Sequence, residues 1–176
     1  VTEDSGRSWR RIERIFSIPE HSFVNDIKAD LHDVDTVYAV FDNHKVGDFR
    51  PYLVKSTNRG RDWVSMAGDL PDRQIVWRFV QDHVTRNLCF AGTVFGVFCT
   101  LDGGQRWIRL AGGLPTIPFR DLEIQRREND LVGASFGRSF FILDDYTPLR
   151  HVSEERLQAS PFILFPVKKP LLYVPS

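Results

Sequence analysis

The pattern Ser/Thr-x-Asp-x-Gly-x-x-Trp stands three times in this chain: at Thr2, Asp4, Gly6, Trp9; at Ser56, Asn58, Gly60, Trp63; and at Thr100, Asp102, Gly104, Trp107. A chain built from copies of one unit is expected to fold into copies of one element. Tryptophans 54 and then 44 residues apart leave room for one four-stranded unit per copy. Leu70-Pro71 and Leu114-Pro115 recur at the same offset of 44, so the repeat is longer than the motif. Sliding by 42 sets Thr93 on Ser135, Phe98 on Phe140 and Asp102 on Asp144, so residues 142–149 read as a decayed fourth box that keeps its acid and loses Gly and Trp.

The spacing has a mechanical meaning. A short carboxylate or amide at the third position can accept hydrogen bonds from the backbone of its own tight turn, and the Gly two residues on can take positive φ. The Trp then starts the next strand and is expected to be buried under the hairpin, worth roughly 4 to 6 kcal/mol for its area. Each box is therefore a structural clamp, in the second copy with Asn58 in place of the acid.

The chain is expected to be all-β, a partial β-propeller of about three four-stranded antiparallel blades with Asp-box hairpins. Residues 1–150 form the propeller part: a blade end over 1–19, in which Trp9 to Ile15 is an outer strand, then blades over about 20–71, 72–115 and 116–150. In the second blade, Ile75 to Val80, Leu88 to Thr93, Val97 to Thr100 and Trp107 to Leu110 are the four strands. The blade before it carries a hairpin insertion from Asp42 to Pro51, which explains its greater length, and the blade after it uses Leu122 to Ile124, Asp130 to Ala134 and Phe140 to Leu143. Residues 151–176 are a C-terminal extension: a short helix starting at Ser153-Glu154-Glu155 and stopped by Pro161, then a candidate closing strand from Phe162 to Val167 that would cover an open edge. Three blades and a fragment do not close a ring, which needs about four to eight. The expected partners are therefore the rest of a parent propeller, from which this chain is a cut, or other copies of the chain.

Charge is balanced, 23 basic residues against 23 acidic, which gives no electrostatic footprint for nucleic acid or an anionic membrane. The most apolar stretch, Phe162 to Val174, is interrupted by Pro166, Lys168, Lys169 and Pro170, so no spanning helix is expected. Cys89 and Cys99 fall on one hairpin, where buried free thiols are expected over a disulfide.

No catalytic residue and no metal or cofactor site is expected. Asp144 and Asp145 lie side by side and point apart on a strand, with Asp144 in the box register and so turn-forming. Gly133-Ala134-Ser135-Phe136-Gly137 spells a nucleophile elbow, but in a strand-turn-strand setting in place of the strand-turn-helix that would project the serine. The five histidines are scattered and offer no zinc-ligand spacing, and Gly103-Gly104 and Gly112-Gly113 are turns. If a ligand binds, a glycan or peptide would meet polar residues that recur at the start of successive blades: Asp26 and Lys28, Arg78 and Asp82, Arg120 and Asp121, with Arg138 in the Phe-Gly-Arg turn. The plainer reading is that these groups line a wet channel and pair with each other.

The chain resembles the BNR/Asp-box repeat proteins, specifically the C-terminal part of a propeller in the large bacterial proteins labelled glycosyl hydrolase-like or sortilin-like. The likeness rests on Phe41 to Lys45, Gly47 to Tyr52, Gly92 to Gly104, Gly113 to Thr116, Arg126 to Leu131, and Phe136-Gly137-Arg138 through Ile142 to Arg150, and spans roughly Val1 to Arg150. The resemblance implies a seven- to ten-bladed β-propeller in an exported, extracytoplasmic protein. It sets the boxes on outer hairpins, away from the central ligand-binding face, and implies no catalytic role for them. Relatives commonly carry Glu where this chain has Val94. The functional expectation is a non-catalytic propeller module of a larger exported protein, binding or scaffolding protein, peptide or glycan. The alternative is part of a glycoside hydrolase whose cleft is completed by further blades.

Overall fold

The structure, a computed structural model, describes residues 1–159 and 162–166. Strands β1 (Phe23–Ala29), β2 (Val37–Asn43), β3 (Asp48–Ser56) and β4 (Val64–Ser65) form one antiparallel sheet in sequence order. Strands β5 (Val76–Gln81), β6 (Cys89–Thr93), β7 (Gly96–Thr100) and β8 (Ile108–Arg109) repeat it, and β9 (Phe119–Gln125), β10 (Asp130–Ser135) and β11 (Phe140–Leu143) form a third sheet of three. The sheets stack face on face, β5 lying beside both β1 and β9. The middle sheet is therefore covered on both sides, which is why β6 and β7 are buried at every position while β1 alternates. One apolar core lies between the first two sheets and includes Tyr38, Leu53, Phe79 and Phe98; the other lies between the second and third and includes Phe90, Phe119, Leu122 and Tyr146.

The insertion after Asp42 lengthens the β2–β3 hairpin, capped by a single 3-10 turn over His44–Val46 that ends on Gly47 at φ 82°. Asp48 at its base accepts hydrogen bonds from the Arg50 guanidinium and the Tyr52 hydroxyl, so one carboxylate ties the returning strand of the insertion together.

The three boxes share one turn. In each, the hydroxyl of the first residue accepts a hydrogen bond from the amide of the box glycine, 2.7 Å at Thr2, 2.8 Å at Ser56 and 2.9 Å at Thr100. It donates to the third residue, Asp4, Asn58 or Asp102, whose oxygen accepts an amide four residues on. Asn58 does this with its carbonyl oxygen, so loss of the charge leaves the geometry intact. All three glycines have positive φ, and at Gly104 a Cβ would lie 2.2 Å from Met66 Cγ, so close approach as well as conformation demands glycine there.

The tryptophans do not share one environment, which corrects the expectation of uniform burial. Trp107 is 7% exposed and donates its indole N–H to the Met66 carbonyl at 3.1 Å, reaching across to the first sheet. Trp63 is half-buried and Trp9 is 73% exposed. The predicted outer strand from Trp9 to Ile15 is likewise not formed. Val1 and Arg10 exchange two backbone hydrogen bonds of 2.7 Å, but residues 9–15 pair with no strand among the described residues. An indole is buried only when a neighbouring sheet lies under it.

Two further expectations, the box position of Asp144 and a strand from Phe162, are corrected at the other end. The third sheet has three strands among the described residues, and the chain after β11 turns into a 3-10 helix, Thr147–His151, that packs back on the second sheet. Its hairpin has also gained one residue: Gly133 pairs with Phe141, as Ala91 pairs with Phe98, which moves the repeat offset from 42 to 43. Asp145, not Asp144, then occupies the box position, and it accepts the amide and hydroxyl of Thr147 while Asp144 is exposed. The helix α1 (Glu154–Ala159) is present where expected; Pro161 lies outside the described residues. Phe162 to Pro166 forms no strand and exposes Phe162 and Leu164, and Val167 lies outside the described residues.

Cys89 and Cys99 are buried free thiols on adjacent strands, Cys89 opposite Thr100 and Cys99 opposite Phe90. They stand one register step apart, so they face opposite sides of the sheet, and each belongs to a different core. Burial raises both thiol pKa values, Cys99 to about 11. At pH 8 the native chain is expected to give no reaction with an aromatic disulfide reagent, and two thiols per chain are expected to react after unfolding. Fast labelling of the native chain would contradict this packing.

Candidate functional site: the inner strands and their hairpin end

Alternation on the inner strands β1, β5 and β9 turns a row of charged side chains toward one another. Asp26, on β1, accepts the Phe79 amide at 3.1 Å, a bond made available by the bulge between Val76 and Arg78 on β5. Lys28 Nζ stands 4.0 Å from Asp26. Arg78 lies at the centre: its Nη1 donates to the Asn25 carbonyl at 2.7 Å and lies 3.6 Å from Asp26, while its Nε donates to Asp121 on β9 at 2.9 Å. One guanidinium thus spans three blades. Four of the candidate residues, Asp26, Lys28, Arg78 and Asp121, form this cluster.

Arg120 takes another direction. Its guanidinium lies 3.6 Å above the Trp77 ring and 5.8 Å from that of Phe136, and the His44 ring meets Trp77 edge-on with centroids 5.8 Å apart. Trp77 is buried and its indole N–H has no hydrogen-bond partner among the described residues. Phe136 and Arg138 are exposed on the neighbouring β10–β11 hairpin. Trp77, His44 and Phe136 escaped the sequence reading. The available signal was that Trp77 is the one tryptophan outside the boxes, off their period.

Asp82 lies at the opposite end of β5 and is apart from both groups. Fully buried, it accepts Tyr146 Oη at 2.6 Å, Arg150 Nη2 at 2.7 Å and Nε at 3.0 Å, and the amides of Val84 and Thr85. Burial pushes this carboxyl up, but the hydrogen bonds of Arg150, Tyr146 and Thr85 outweigh it and hold the pKa below the ordinary aspartate value. The same burial, with Asp82 beside it, raises the Tyr146 phenol. Asp82 therefore works as an anchor for the C-terminal turn. Asp30 holds the corresponding place just past the end of β1, accepting Tyr38 Oη at 2.6 Å and Gln81 Nε2 at 3.0 Å.

An apolar pocket of about 440 Å³ opens between the second and third sheets, lined by Leu110 to Leu114 on one side and by Leu131, Gly133 and Phe141 on the other. A second, of about 470 Å³, lies between residues 12–22 and the outer face of the first sheet. Among the described residues no group of three His, Cys, Asp or Glu side chains is placed to hold a metal ion, and no helix is long and apolar enough to cross a membrane.

No family model and no curated protein sequence matches the chain. Solved structures do. The chain is similar to a GH74 enzyme of Niastella koreensis, with TM-score 0.55 and 14% identity over 69% of this chain and 21% of that one. It is similar to a GH74 xyloglucanase of Xanthomonas campestris, with TM-score 0.53 and 16% identity over 72% and 22%. It is also similar to YCF48, solved bound to D1 peptide, with TM-score 0.50 and 16% identity over 73% and 38%. All three are β-propeller proteins, and at these identities the likeness is one of fold. The fold is a partial β-propeller. Among the described residues its first two blades have four strands and its third has three, and the chain spans about a fifth of the length of the two GH74 enzymes and 38% of YCF48.

Proposed function

We propose that the chain is a non-catalytic propeller module of a larger exported protein, with blades over about 20–71, 72–115 and 116–150, and that it binds a protein or peptide segment at the hairpin end of its inner strands. The observation that carries this reading is the pairing of the inner-strand charges. A glycosidase needs one carboxyl kept protonated in apolar surroundings and a second free to act as nucleophile or base. Asp26 and Asp121 instead share the single guanidinium of Arg78. The groups left to meet a ligand are Arg120 on Trp77, with exposed Phe136 and Arg138 beside it, a cationic and aromatic surface suited to peptide side chains. The likeness to YCF48 bound to D1 peptide agrees with a peptide ligand.

The test is selection of peptides from a displayed library on the chain, followed by Arg120→Ala. Retention is expected to fall about fivefold or more, since arginine stacked on an aromatic ring is a typical energetic centre of an interface. The likeness to the two GH74 enzymes favours the other reading, a share in a glycan-cleaving cleft. Release of reducing ends from xyloglucan by the full polypeptide, lost in Asp26→Asn or Asp121→Asn, would establish that reading and overturn the first.

A further inference from the structure

The pocket between the second and third blades is the Trp107 site one blade further on. Trp107 shares the core between the first and second blades with Met66, Leu70, Ala91 and Phe98. In the next interface Leu110 and Leu114 stand for Met66 and Leu70, while Gly133 and Phe141 stand for Ala91 and Phe98, and all four line the 440 Å³ pocket. The position equivalent to Trp107 is Arg150, whose guanidinium turns away to Asp82. Tyr146, Pro148 and Leu149 of the turn that follows β11 line the remaining wall, and the space between that turn and Leu110 stays open. Beside the pocket, β11 is the edge of its sheet among the described residues, whereas its counterpart β7 pairs with β8 through Phe98 opposite Arg109 and Cys99 opposite Ile108. Phe140 and Ile142 on that edge are exposed apolar side chains.

The geometry points to a docking site for an Asp-box segment of another polypeptide: an extended strand added to β11, with the tryptophan that precedes it seated in the pocket. The interface is continuous with the one Trp107 already makes. By the register of β7 and β8, the first residue after the guest tryptophan pairs with Ile142 and the second with Phe141. The Leu110 carbonyl is the counterpart of the Met66 carbonyl that accepts the Trp107 indole N–H. Exposed edges are the usual template for such strand addition, and the pocket supplies selectivity for the large ring. This inference rests on the binding-module reading but uses a different surface from the Arg120 end.

The probe is a fluorescein-labelled peptide with the sequence of residues 100–110, Thr-Leu-Asp-Gly-Gly-Gln-Arg-Trp-Ile-Arg-Leu, titrated with the full chain and followed by anisotropy. Saturable one-to-one binding is expected, weakened about tenfold or more when the peptide tryptophan is replaced by alanine. It is expected to weaken equally with the chain variant Leu110→Trp, which fills the pocket from its rim; circular dichroism checks that variant's fold. No binding up to about 100 μM, or binding indifferent to the peptide tryptophan, overturns the proposal. Binding that appears only after deletion of residues 162–176 assigns the pocket to the chain's own C-terminal stretch, and a dimer by light scattering that Leu110→Trp dissociates assigns it to a second copy; either overturns it. Binding abolished by Arg120→Ala but untouched by Leu110→Trp leaves the module reading standing and removes this site.

Discussion

Trp107→Ala is expected to destabilise the chain by about 3 to 5 kcal/mol, the range for removing a buried tryptophan, while Trp9→Ala is expected to change stability by less than about 0.5 kcal/mol. The two residues occupy the same place in the same motif. Trp107 fills the space between two blades and is tied to the first by its indole N–H on Met66 and its backbone amide on Asp69 Oδ1 at 2.6 Å. Alanine leaves a cavity there and strands the Met66 carbonyl. Trp9 bonds its own turn, at the Gly6 carbonyl at 3.1 Å, with most of its surface in water. Thermal denaturation of the two variants checks this: for a chain of this size the Trp107 change corresponds to a fall in Tm of roughly 10 °C. Equal losses would mean that the interblade packing of Trp107 contributes nothing beyond its turn.

Asp82→Ala is expected to cost a similar amount, about 3 to 5 kcal/mol, because it leaves the largely buried Arg150 guanidinium without its anion and Tyr146 Oη without its acceptor. The loss is expected to depend on pH, and the direction follows from the shift. A carboxyl whose folded pKa lies below its unfolded value of about 3.9 contributes stability that is fully present above that value and is lost as pH falls through the folded pKa. The difference in Tm between wild type and Asp82→Ala should therefore be largest above about pH 4 and shrink as pH falls below it toward the folded pKa. A difference that stays constant down to pH 2 would show that Asp82 acts through packing alone. Because Arg150 replaces the missing box tryptophan, the same variant should also loosen the 3-10 turn over Thr147–His151, which Asp82 holds against the second blade.

These two residues mark where the sequence is sufficient and where it is not. The turn of each box is a local object: a hydroxyl, an acceptor and a glycine within five residues satisfy one another's hydrogen bonds, so spacing alone determines it, even where Asn58 replaces the acid. Strand positions follow in the same way from alternation and turn residues, and the repeat determines a meander of four strands. Whether a box tryptophan is a clamp or an exposed ring depends on which sheet lies beneath it, and Trp9 and Trp107 carry the same local signal. The partners of the inner-strand charges depend likewise on how far each blade turns. Arg78 reaches Asp26 and Asp121 because three strands converge, Arg120 next to Asp121 stacks on Trp77, and Asp82 at the far end of β5 is captured by Tyr146 and Arg150. The one-residue lengthening of the β10–β11 hairpin, which transfers the box role from Asp144 to Asp145, shows only in strand pairing. The sequence by itself determined the turns, the strands and the repeating blade, because those interactions close within a few residues; the tertiary structure decided burial, charge partners and the open pocket, because those arise between blades far apart along the chain.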